Sequence, residues 1–405
     1  MSSTPFDLAP VAEARTAAAT AAHARTRLQS IDVVRGLVMV LMTLDHVRHY
    51  FTNAHFDPLD PALTSGALYV TRWITHLCAP TFVFLAGVSA FLMAQRLSRP
   101  ELSRFLLTRG LWLVFLEFTV VNLAFTFDVG YTNGIFFQVI WAIGASMVVL
   151  AALIHLPLRV LFVIAIAIVA GHNLLDGIAA EQFGSWAPLW NLLHSAGPAP
   201  FGFVAYPVLP WIGIMTLGYV AGALFRKEPD ERQRTLSMAG CAAIAAFFAL
   251  RLINGYGDPD PWTMQATFAQ TLYSFFDVEK YPPSLLYTLA TLGVASLMLL
   301  FAERAERPGC AGALSVLRTF GRVPLFFYVL HILLAHVAAV IAGLVTGAGT
   351  DGLIVHSIFG LPADWGFGLP VVYGMWLAVM VISYPLCRWF SDLKKRRNDW
   401  WLAYL

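Results

Sequence analysis

The first long apolar stretch of the chain reads IDVVRGLVMVLMTLDHVRHYF and runs from Ile31 to Phe51. An α-helix needs about 20 predominantly apolar residues to cross the hydrocarbon core of a bilayer, so this stretch is long enough. Nine further stretches have the same character, and none shows the strict alternation of a membrane β-barrel strand. The ten predicted spans cover residues 31–51, 74–95, 106–126, 134–154, 158–175, 204–225, 236–254, 284–303, 321–346 and 367–390.

The composition also indicates a protein with several membrane-spanning helices. Of the 405 residues, 58% are hydrophobic and 12% are charged, whereas a soluble domain is about 45–50% apolar and about 25% charged. A chain with so few charges cannot cover a soluble globule, which excludes a cytosolic enzyme, a nucleic-acid-binding protein and a disordered chain. The four cysteines are far apart and form no Cys/His ligand pattern, so the sequence predicts neither a disulfide framework nor a metal site.

The positions of the basic residues predict the orientation of the spans. Lys and Arg favour cytoplasmic loops, and 22 of the 26 basic residues lie on alternate connections that include both ends of the chain. The opposite connections hold eleven acidic residues and only four basic ones, Arg48, Arg72, Arg251 and Lys280. The sequence therefore predicts an all-α polytopic membrane protein with about ten transmembrane helices and both termini in the cytoplasm.

The same pattern predicts the domain organisation. Residues 1–29 have no apolar core, so we expect a cytoplasmic tail rather than a cleavable signal peptide. A single membrane domain is predicted over 30–390, followed by a basic cytoplasmic tail over 391–405. The two long outer connections, 176–203 and 255–283, are rich in Trp, Pro and Gly and are predicted to form lids at the membrane interface.

Polar side chains concentrate in the predicted outer half of the bundle. A charged group at mid-bilayer costs at least about 2.5–3.5 kcal/mol, so it usually marks a functional site or a buried ion pair. We therefore expect a polar cavity that opens outward. Two alternatives remain: Glu117 and Arg72 could pair with each other, and Arg251 and Lys280 could form ion pairs between a lid and a helix. The residues concerned are Asp45, His46, Arg48, His49, Arg72, His76, Glu117, Asn122, Asn133, Gln138, His172, Asn173, Asp176, Arg251, Asn254, Lys280, His331 and His336.

One face of the first span carries two side chains that are suited to ligand binding and catalysis. Arg35 and His46 are eleven positions apart, so they lie within about 20° of each other around the helix and are separated by roughly half the hydrocarbon thickness. A guanidinium at the inner end suits a phosphate-bearing donor. An imidazole near the outer cavity suits general-base or acyl-carrier chemistry at neutral pH.

These residues lie in a segment that resembles a known superfamily. SIDVVRGLVMVLMTLDH (Ser30–His46) is similar to the opening helix of the transmembrane acyltransferases, and its Arg-(ten residues)-His spacing resembles the type 3 acyltransferases. APTFVFLAGVSAFL (Ala79–Leu92) resembles the second helix of the heparan-α-glucosaminide N-acetyltransferase catalytic domain. KYPPSLL (Lys280–Leu286) and FGRVPLFFYVLH (Phe320–His331) resemble the uncharacterised bacterial branch of that domain. The resemblance covers roughly 28–390.

The resemblance implies transfer of an acyl group across the membrane. The donor would be cytoplasmic acetyl-CoA or another acyl-CoA. The acceptor would be a hydroxyl or amine on an extracytoplasmic glycan or small molecule in the cell envelope. The implied location is a bacterial inner membrane, so the lipid bilayer is a further partner. We expect neither nucleic acid nor a metal ion to bind, and the protein could form an oligomer.

The resemblance also implies roles for individual residues. His46 takes the position of the catalytic histidine in the type 3 pattern and Arg35 that of its arginine. In the heparan enzyme the histidine lies in the loop after this helix, and here that loop reads FTNAHFDP, so His55 and His49 are rivals. The remaining candidates are Arg322 beside the donor, Asp45 or Glu117 to orient the imidazole, and a substrate or oxyanion group made of Arg72, His76, Lys280, Tyr281 and His331.

Two other functions fit the sequence. A transporter or flippase would share the outward polar cavity and use prolines within its helices. No internal repeat is visible, although many transporter folds carry one. A non-enzymatic membrane scaffold or sensor would tolerate replacement of His46.

Overall fold

The computed structural model describes residues 9–305, 311–350, 352–354, 361–397 and 399–404, and these residues form a helical bundle. The α-helices are, in chain order, α1 Ala9–Phe51, α2 Gly66–Ile74, α3 Cys78–Met93, α4 Arg99–Leu116, α5 Asn122–Thr126, α6 Val139–Leu153, α7 Leu158–Gly171, α8 Ala187–Leu193, α9 Val208–Ala221, α10 Pro229–Ile253, α11 Phe268–Phe276, α12 Leu285–Ala305, α13 Ala311–Arg322, α14 Pro324–Thr346 and α15 Leu369–Arg396.

All ten predicted spans coincide with helical segments. Eight segments of the described chain are long and apolar enough to cross a membrane. The other two are α6, which is apolar but only 15 residues long, and the second half of α1, which carries Asp32, Arg35, Asp45 and Arg48. The structure thus confirms an all-α polytopic membrane protein. The cytoplasmic position of the termini and the domain boundaries at residues 29 and 390 stay predictions.

A small sheet that the sequence did not predict lies among the helices. Strand β1 (Ile135–Phe137) pairs in parallel with β3 (Gly202–Val204), which pairs antiparallel with β2 (Gly197–Ala199). Strands of three residues are too short to show a period of two, which is why pattern analysis missed them. Gly202 allows this pairing, because a Cβ there would lie 1.8 Å from the carbonyl oxygen of Ile135.

Glycines let the helices that carry the site pack at backbone distance. A Cβ on Gly36 of α1 would lie 1.9 Å from the Leu317 carbonyl oxygen of α13, and a Cβ on Gly321 would lie 1.9 Å from the Asp32 carbonyl oxygen. Small residues at the contact between membrane helices permit this close approach. The contact fixes the Arg35 end of α1 against the end of α13.

The connection 255–283 is tied to the bundle through Arg251, at the end of α10. Its guanidinium forms an ion pair with Asp258 at 3.7 Å and donates hydrogen bonds to backbone carbonyl oxygens of Asp260, Ser274, Phe275 and Asp277. The predicted ion pair between lid and helix is therefore present for Arg251. Within the described chain, Lys280 forms no ion pair.

The carboxyl group of Asp277 makes this lid sensitive to pH. Burial and the nearby acids Asp57, Asp258 and Glu279 raise its pKa from 3.8 to about 7. A raised carboxyl pKa means that this group retains a proton in the folded protein that it releases in the unfolded chain, so its contribution to folding stability falls as pH rises from about 4 to 7. We expect Asp277→Asn to raise the thermal unfolding midpoint at pH 8 and to leave it nearly unchanged at pH 4.

The test is to measure the thermal unfolding midpoints of the purified wild type and the variant from pH 4 to pH 8. Asp230→Asn, at an exposed position in the first turn of α10, serves as the control and should follow the wild-type curve. Parallel curves for wild type and Asp277→Asn would contradict the expectation.

Candidate functional site

Two cavities approach each other inside the bundle. The first, which we call the Arg35 cavity, has a volume of about 470 Å³. Its walls are mainly apolar, and they carry four cations, Arg35, Arg109, Arg322 and Lys394. Apolar walls that carry several cations suit a ligand with an apolar arm and an anionic head.

The second cavity, which we call the His46 cavity, has a volume of about 400 Å³. Its lining comes from α1, the α2–α3 segment, the small sheet and the connection 255–283, which combines charged and aromatic side chains. The polar lining residues are Asp45, His46, Arg48, His49, Arg72, Thr75, Gln138, Tyr206, Lys280 and Tyr281. A polar cavity is therefore present, and the connections 176–203 and 255–283 form part of its wall. Of the polar residues predicted to face it, seven do so, and its outward opening stays a prediction; the seven are Asp45, His46, Arg48, His49, Arg72, Gln138 and Lys280.

Three apolar side chains belong to both linings. Met42, Phe82 and Val139 border the Arg35 cavity and also the His46 cavity. We call this set the apolar neck. His46 lines one side of the neck and Tyr328 the other, and their ring centroids are 6.1 Å apart. The two cavities thus share part of their walls, and the imidazole of His46 on one side contacts Tyr328 on the other.

Arg35 is held in place at the wall of its cavity. Its guanidinium donates to the Asp32 carboxylate at 3.2 Å, to the Gly321 carbonyl oxygen at 2.9 Å and to the Ser89 hydroxyl at 3.1 Å. Asp32 also pairs with Arg322 at 3.7 Å. The single Asp32 carboxylate therefore faces two guanidinium groups, which leaves excess positive charge for an anionic ligand.

His46 bonds to a second histidine and not to a carboxylate. Its Nδ1 lies 2.7 Å from Nε2 of His331, and the planes of the two rings are within 6° of parallel. Nδ1 of His331 lies 2.8 Å from the carbonyl oxygen of Phe327. The predicted substrate residue His331 is thus the direct partner of the predicted catalytic residue.

This hydrogen-bond chain fixes the tautomers of the neutral pair. A carbonyl oxygen only accepts, so Nδ1 of His331 carries the proton and donates to Phe327. Nε2 of His331 must then accept, which requires a proton on Nδ1 of His46. The unprotonated nitrogen of His46 is therefore Nε2, which leaves it free to act as a base in the cavity that His46 lines.

Asp45 belongs to a cationic cluster instead of orienting His46. Its carboxylate pairs with Arg48 at 2.9 Å and with Arg72 at 3.4 Å, so Arg72 pairs with Asp45 and not with Glu117. Lys280, only 7% exposed, adds a third cation, and its ammonium lies 4.9 Å from the ring centroid of Tyr281. Burial acts to raise the pKa of the Tyr281 hydroxyl, but Lys280 and Arg72 together hold it below its ordinary value.

Four predicted site residues lie outside the lining of both cavities: His331, Glu117, His55 and His76. Glu117 is fully buried in a π-helical turn, where its carboxylate accepts from the backbone N–H of Trp141 at 2.7 Å and so caps the start of α6. His55 is exposed and bonds to the Trp365 carbonyl oxygen at 2.9 Å. His76 is buried, and its ring packs edge-on against Tyr287.

Sequence reasoning missed several lining residues. Arg109 and Lys394 contribute only to the topology prediction, because nothing in the sequence shows that α4 and α15 line the same cavity as Arg35. Tyr206 and Tyr328 look like ordinary aromatic residues within apolar segments. The Tyr328 hydroxyl is buried and has no hydrogen-bond partner among the described residues, which is a signal that only the structure supplies.

The catalytic-domain model of the heparan-alpha-glucosaminide N-acetyltransferase family matches residues 27–253, more than half of the chain. The chain belongs to that family. No curated protein matches it. The protein is therefore a multi-pass membrane protein of an acyltransferase family, as its sequence predicted.

The match contains Arg35, His46 and Arg72 but ends before Lys280 and Arg322. The relationship of the segments Lys280–Leu286 and Phe320–His331 to a bacterial branch stays a prediction. So does the likeness of the Arg-(ten residues)-His spacing to the type 3 acyltransferases.

Proposed function

We propose that this protein transfers an acyl group, most simply acetyl, from acyl-CoA in the Arg35 cavity to a hydroxyl or amine of an acceptor in the His46 cavity. The acceptor is a glycan or small molecule outside the cytoplasm, and the charge pattern supports a cytoplasmic position for the Arg35 end. The observation that carries the proposal is the meeting of a cationic, apolar-walled cavity and a polar cavity at an imidazole whose Nε2 is unprotonated.

The cations Arg35, Arg109, Arg322 and Lys394 would hold the phosphate groups of the donor, since guanidinium and ammonium groups bind phosphate through charge-assisted hydrogen bonds. The pantetheine arm would follow the apolar wall and bring its thioester through the apolar neck. The carbonyl carbon would then lie next to His46, which is on the same face of α1 as Arg35 and about three helical turns further along it.

The reaction would proceed by general-base catalysis. Nε2 of His46 removes a proton from the acceptor hydroxyl or amine as its oxygen or nitrogen attacks the thioester carbon. The tetrahedral intermediate collapses, the carbon–sulfur bond breaks, and the imidazolium returns the proton to the CoA thiolate. Nδ1–H of His46 stays bonded to His331 throughout, which keeps Nε2 directed at the acceptor.

Tyr328 would stabilise the oxyanion of the tetrahedral intermediate. Its hydroxyl lacks a partner among the described residues, and its ring contacts His46 from the side of the Arg35 cavity. We expect Tyr328→Phe to lower kcat about tenfold with little change in KM for the donor, because one neutral hydrogen bond made mainly in the transition state is worth about 0.5–1.5 kcal/mol. Steady-state kinetics with acetyl-CoA measure this, and a kcat equal to that of wild type would exclude Tyr328 as an oxyanion donor.

His331 is proposed as a positioning residue. His331→Phe removes the acceptor for Nδ1–H of His46 and should lower kcat about tenfold and shift the pH profile of kcat. His331→Gln, whose amide oxygen can accept the same hydrogen bond, should recover part of the loss. Equal activity of the Phe and Gln variants would show that the hydrogen bond does not matter.

Release of free CoA by the purified protein tests the proposed function as a whole. Protein in nanodiscs receives acetyl-CoA and a panel of amino sugars and sugar alcohols, and free thiol is measured with and without each acceptor. Acceptor-dependent release supports an acyltransferase. Absence of release with every acceptor, together with unchanged acylation of surface glycans in a deletion strain, would favour the transporter or flippase instead.

A further inference from the structure

A group of metal-ligating side chains lies outside the two cavities, where the end of α7 meets α8. His172 and Asp176 follow α7 in a short 3-10 turn, and His194 follows the last residue of α8. One possible ligand atom from each of the three residues lies within 4.8 Å of the others. Within the described chain this is the one group of three or more His, Cys, Asp or Glu residues with that geometry.

The state of His172 points to a ligand. Its side chain is 3% exposed, and neither ring nitrogen makes a hydrogen bond of normal geometry with a described residue. Buried polar atoms in native proteins nearly always have a partner. The backbone of Pro283 acts on the ring as a hydrogen-bond acceptor. This accounts for at most one ring nitrogen and leaves the other as a lone pair for a metal, which is the common arrangement around metal-bound histidines.

The other two residues have suitable geometry. Ligand atoms about 2.0–2.2 Å from a tetrahedral zinc ion are separated by about 3.3–3.6 Å. Nε2 of His194 and Oδ1 of Asp176 are 3.6 Å apart. The second carboxylate oxygen of Asp176 accepts from the Asn173 amide at 2.8 Å, which orients the carboxylate and leaves Oδ1 for the metal.

We propose that His172, Asp176 and His194 bind a divalent transition metal, with zinc as the best match for two imidazoles and one carboxylate. Zinc binding would replace the 2.9 Å hydrogen bond between Nε2 of His194 and the His172 carbonyl oxygen with a metal bond and release the proton of Nε2. Three protein ligands leave the fourth position for water.

The site would control the lid of the His46 cavity. His194 lies two residues before Ala196, which lines that cavity, and three residues before β2, the strand that pairs with β3. A metal that joins His194 to the end of α7 would hold this edge of the cavity wall against the bundle. This inference does not depend on the reaction proposed above, because it concerns a separate set of residues.

Metal titration of the full-length protein tests the proposal. The protein is purified in detergent through a tag without histidine, stripped with EDTA and titrated with ZnCl₂, and a parallel titration with Co²⁺ is followed by its visible absorption bands. We expect one equivalent of zinc per chain and a rise in the thermal unfolding midpoint. His172→Gln and His194→Gln should each weaken binding at least tenfold, whereas His155→Gln, at an exposed histidine at the end of α6, should bind as wild type.

Two results would overturn the inference: no stoichiometric binding to the wild type, or binding that survives equally in all three variants. If His172→Gln fails to fold, His194→Gln and the Co²⁺ spectrum of the wild type still decide the matter. Neither readout needs turnover, so a protein that binds zinc but releases no CoA would contradict the proposed function alone.

Discussion

His46→Ala should reduce acceptor-dependent CoA release by about 10³-fold while the protein still folds and binds acyl-CoA. A positioned general base contributes about 10²–10⁴-fold to the rate, and the unprotonated Nε2 of His46 is the base that we propose for this chain. The side chain is half-buried and packs against Phe125 and Tyr328. Loss of the ring therefore removes only side-chain contacts at the neck and leaves the backbone packing of the helices in place.

The measurement is CoA release in nanodiscs, with donor binding followed separately by fluorescence of a labelled acyl-CoA. His155→Ala is the control, because His155 is exposed and lines neither cavity. His55→Ala and His49→Ala test the rivals from sequence analysis. Wild-type turnover by His46→Ala would refute the proposed mechanism, and a loss confined to His55→Ala would move the chemistry to the loop after α1.

Arg35→Met should raise KM for acyl-CoA about 100-fold and change kcat much less. The guanidinium is the cation of the Arg35 cavity that is held by three hydrogen bonds, and hydrogen bonds to charged groups contribute about 1.5–3 kcal/mol each. In the proposed binding mode the phosphate groups lie far from the reacting carbonyl, so loss of the Arg35 contact should weaken donor binding in the ground state and in the transition state equally.

Donor titrations of Arg35→Met and wild type provide the test, with Arg304→Met as the matched control at an exposed helix end outside both cavities. If the guanidinium contacts the 3′-phosphate of CoA, removing this phosphate from the donor should weaken binding less in Arg35→Met than in wild type. An unchanged KM in Arg35→Met would show that the donor binds elsewhere.

The sequence predicted the architecture well because the membrane imposes strong rules. The length of each apolar stretch and the scarcity of charge in it were enough to locate all ten helical segments. The helical period also placed Arg35 and His46 on one face of α1, and the structure places each beside its own cavity. The resemblance of Ser30–His46 and Ala79–Leu92 to acyltransferases led to the family that the comparison confirms.

The parts that the sequence could not predict depend on contacts between distant segments. His46 and His331 are 285 positions apart. No local sequence pattern shows that His331 is the hydrogen-bond partner of His46 and not a residue that contacts the substrate. Glu117 caps α6 because a π-helical turn directs its carboxylate at the Trp141 N–H, and the sequence did not predict that turn. His172, Asp176 and His194 were not predicted as metal ligands, since their irregular spacing matches no zinc motif and only the fold of the connection brings them together.

The apolar neck has a consequence for the integrity of the membrane. A continuous aqueous path between the two cavities would let protons leak and dissipate the ion gradients that the cell maintains. Met42, Phe82 and Val139 offer no polar group along which a file of water could form. In the proposed mechanism, in which the two cavities open to opposite sides of the membrane, these side chains would form the permeability barrier between them. The acyl and thioester groups of the proposed donor are uncharged and could pass these side chains, whereas its charged nucleotide would stay behind.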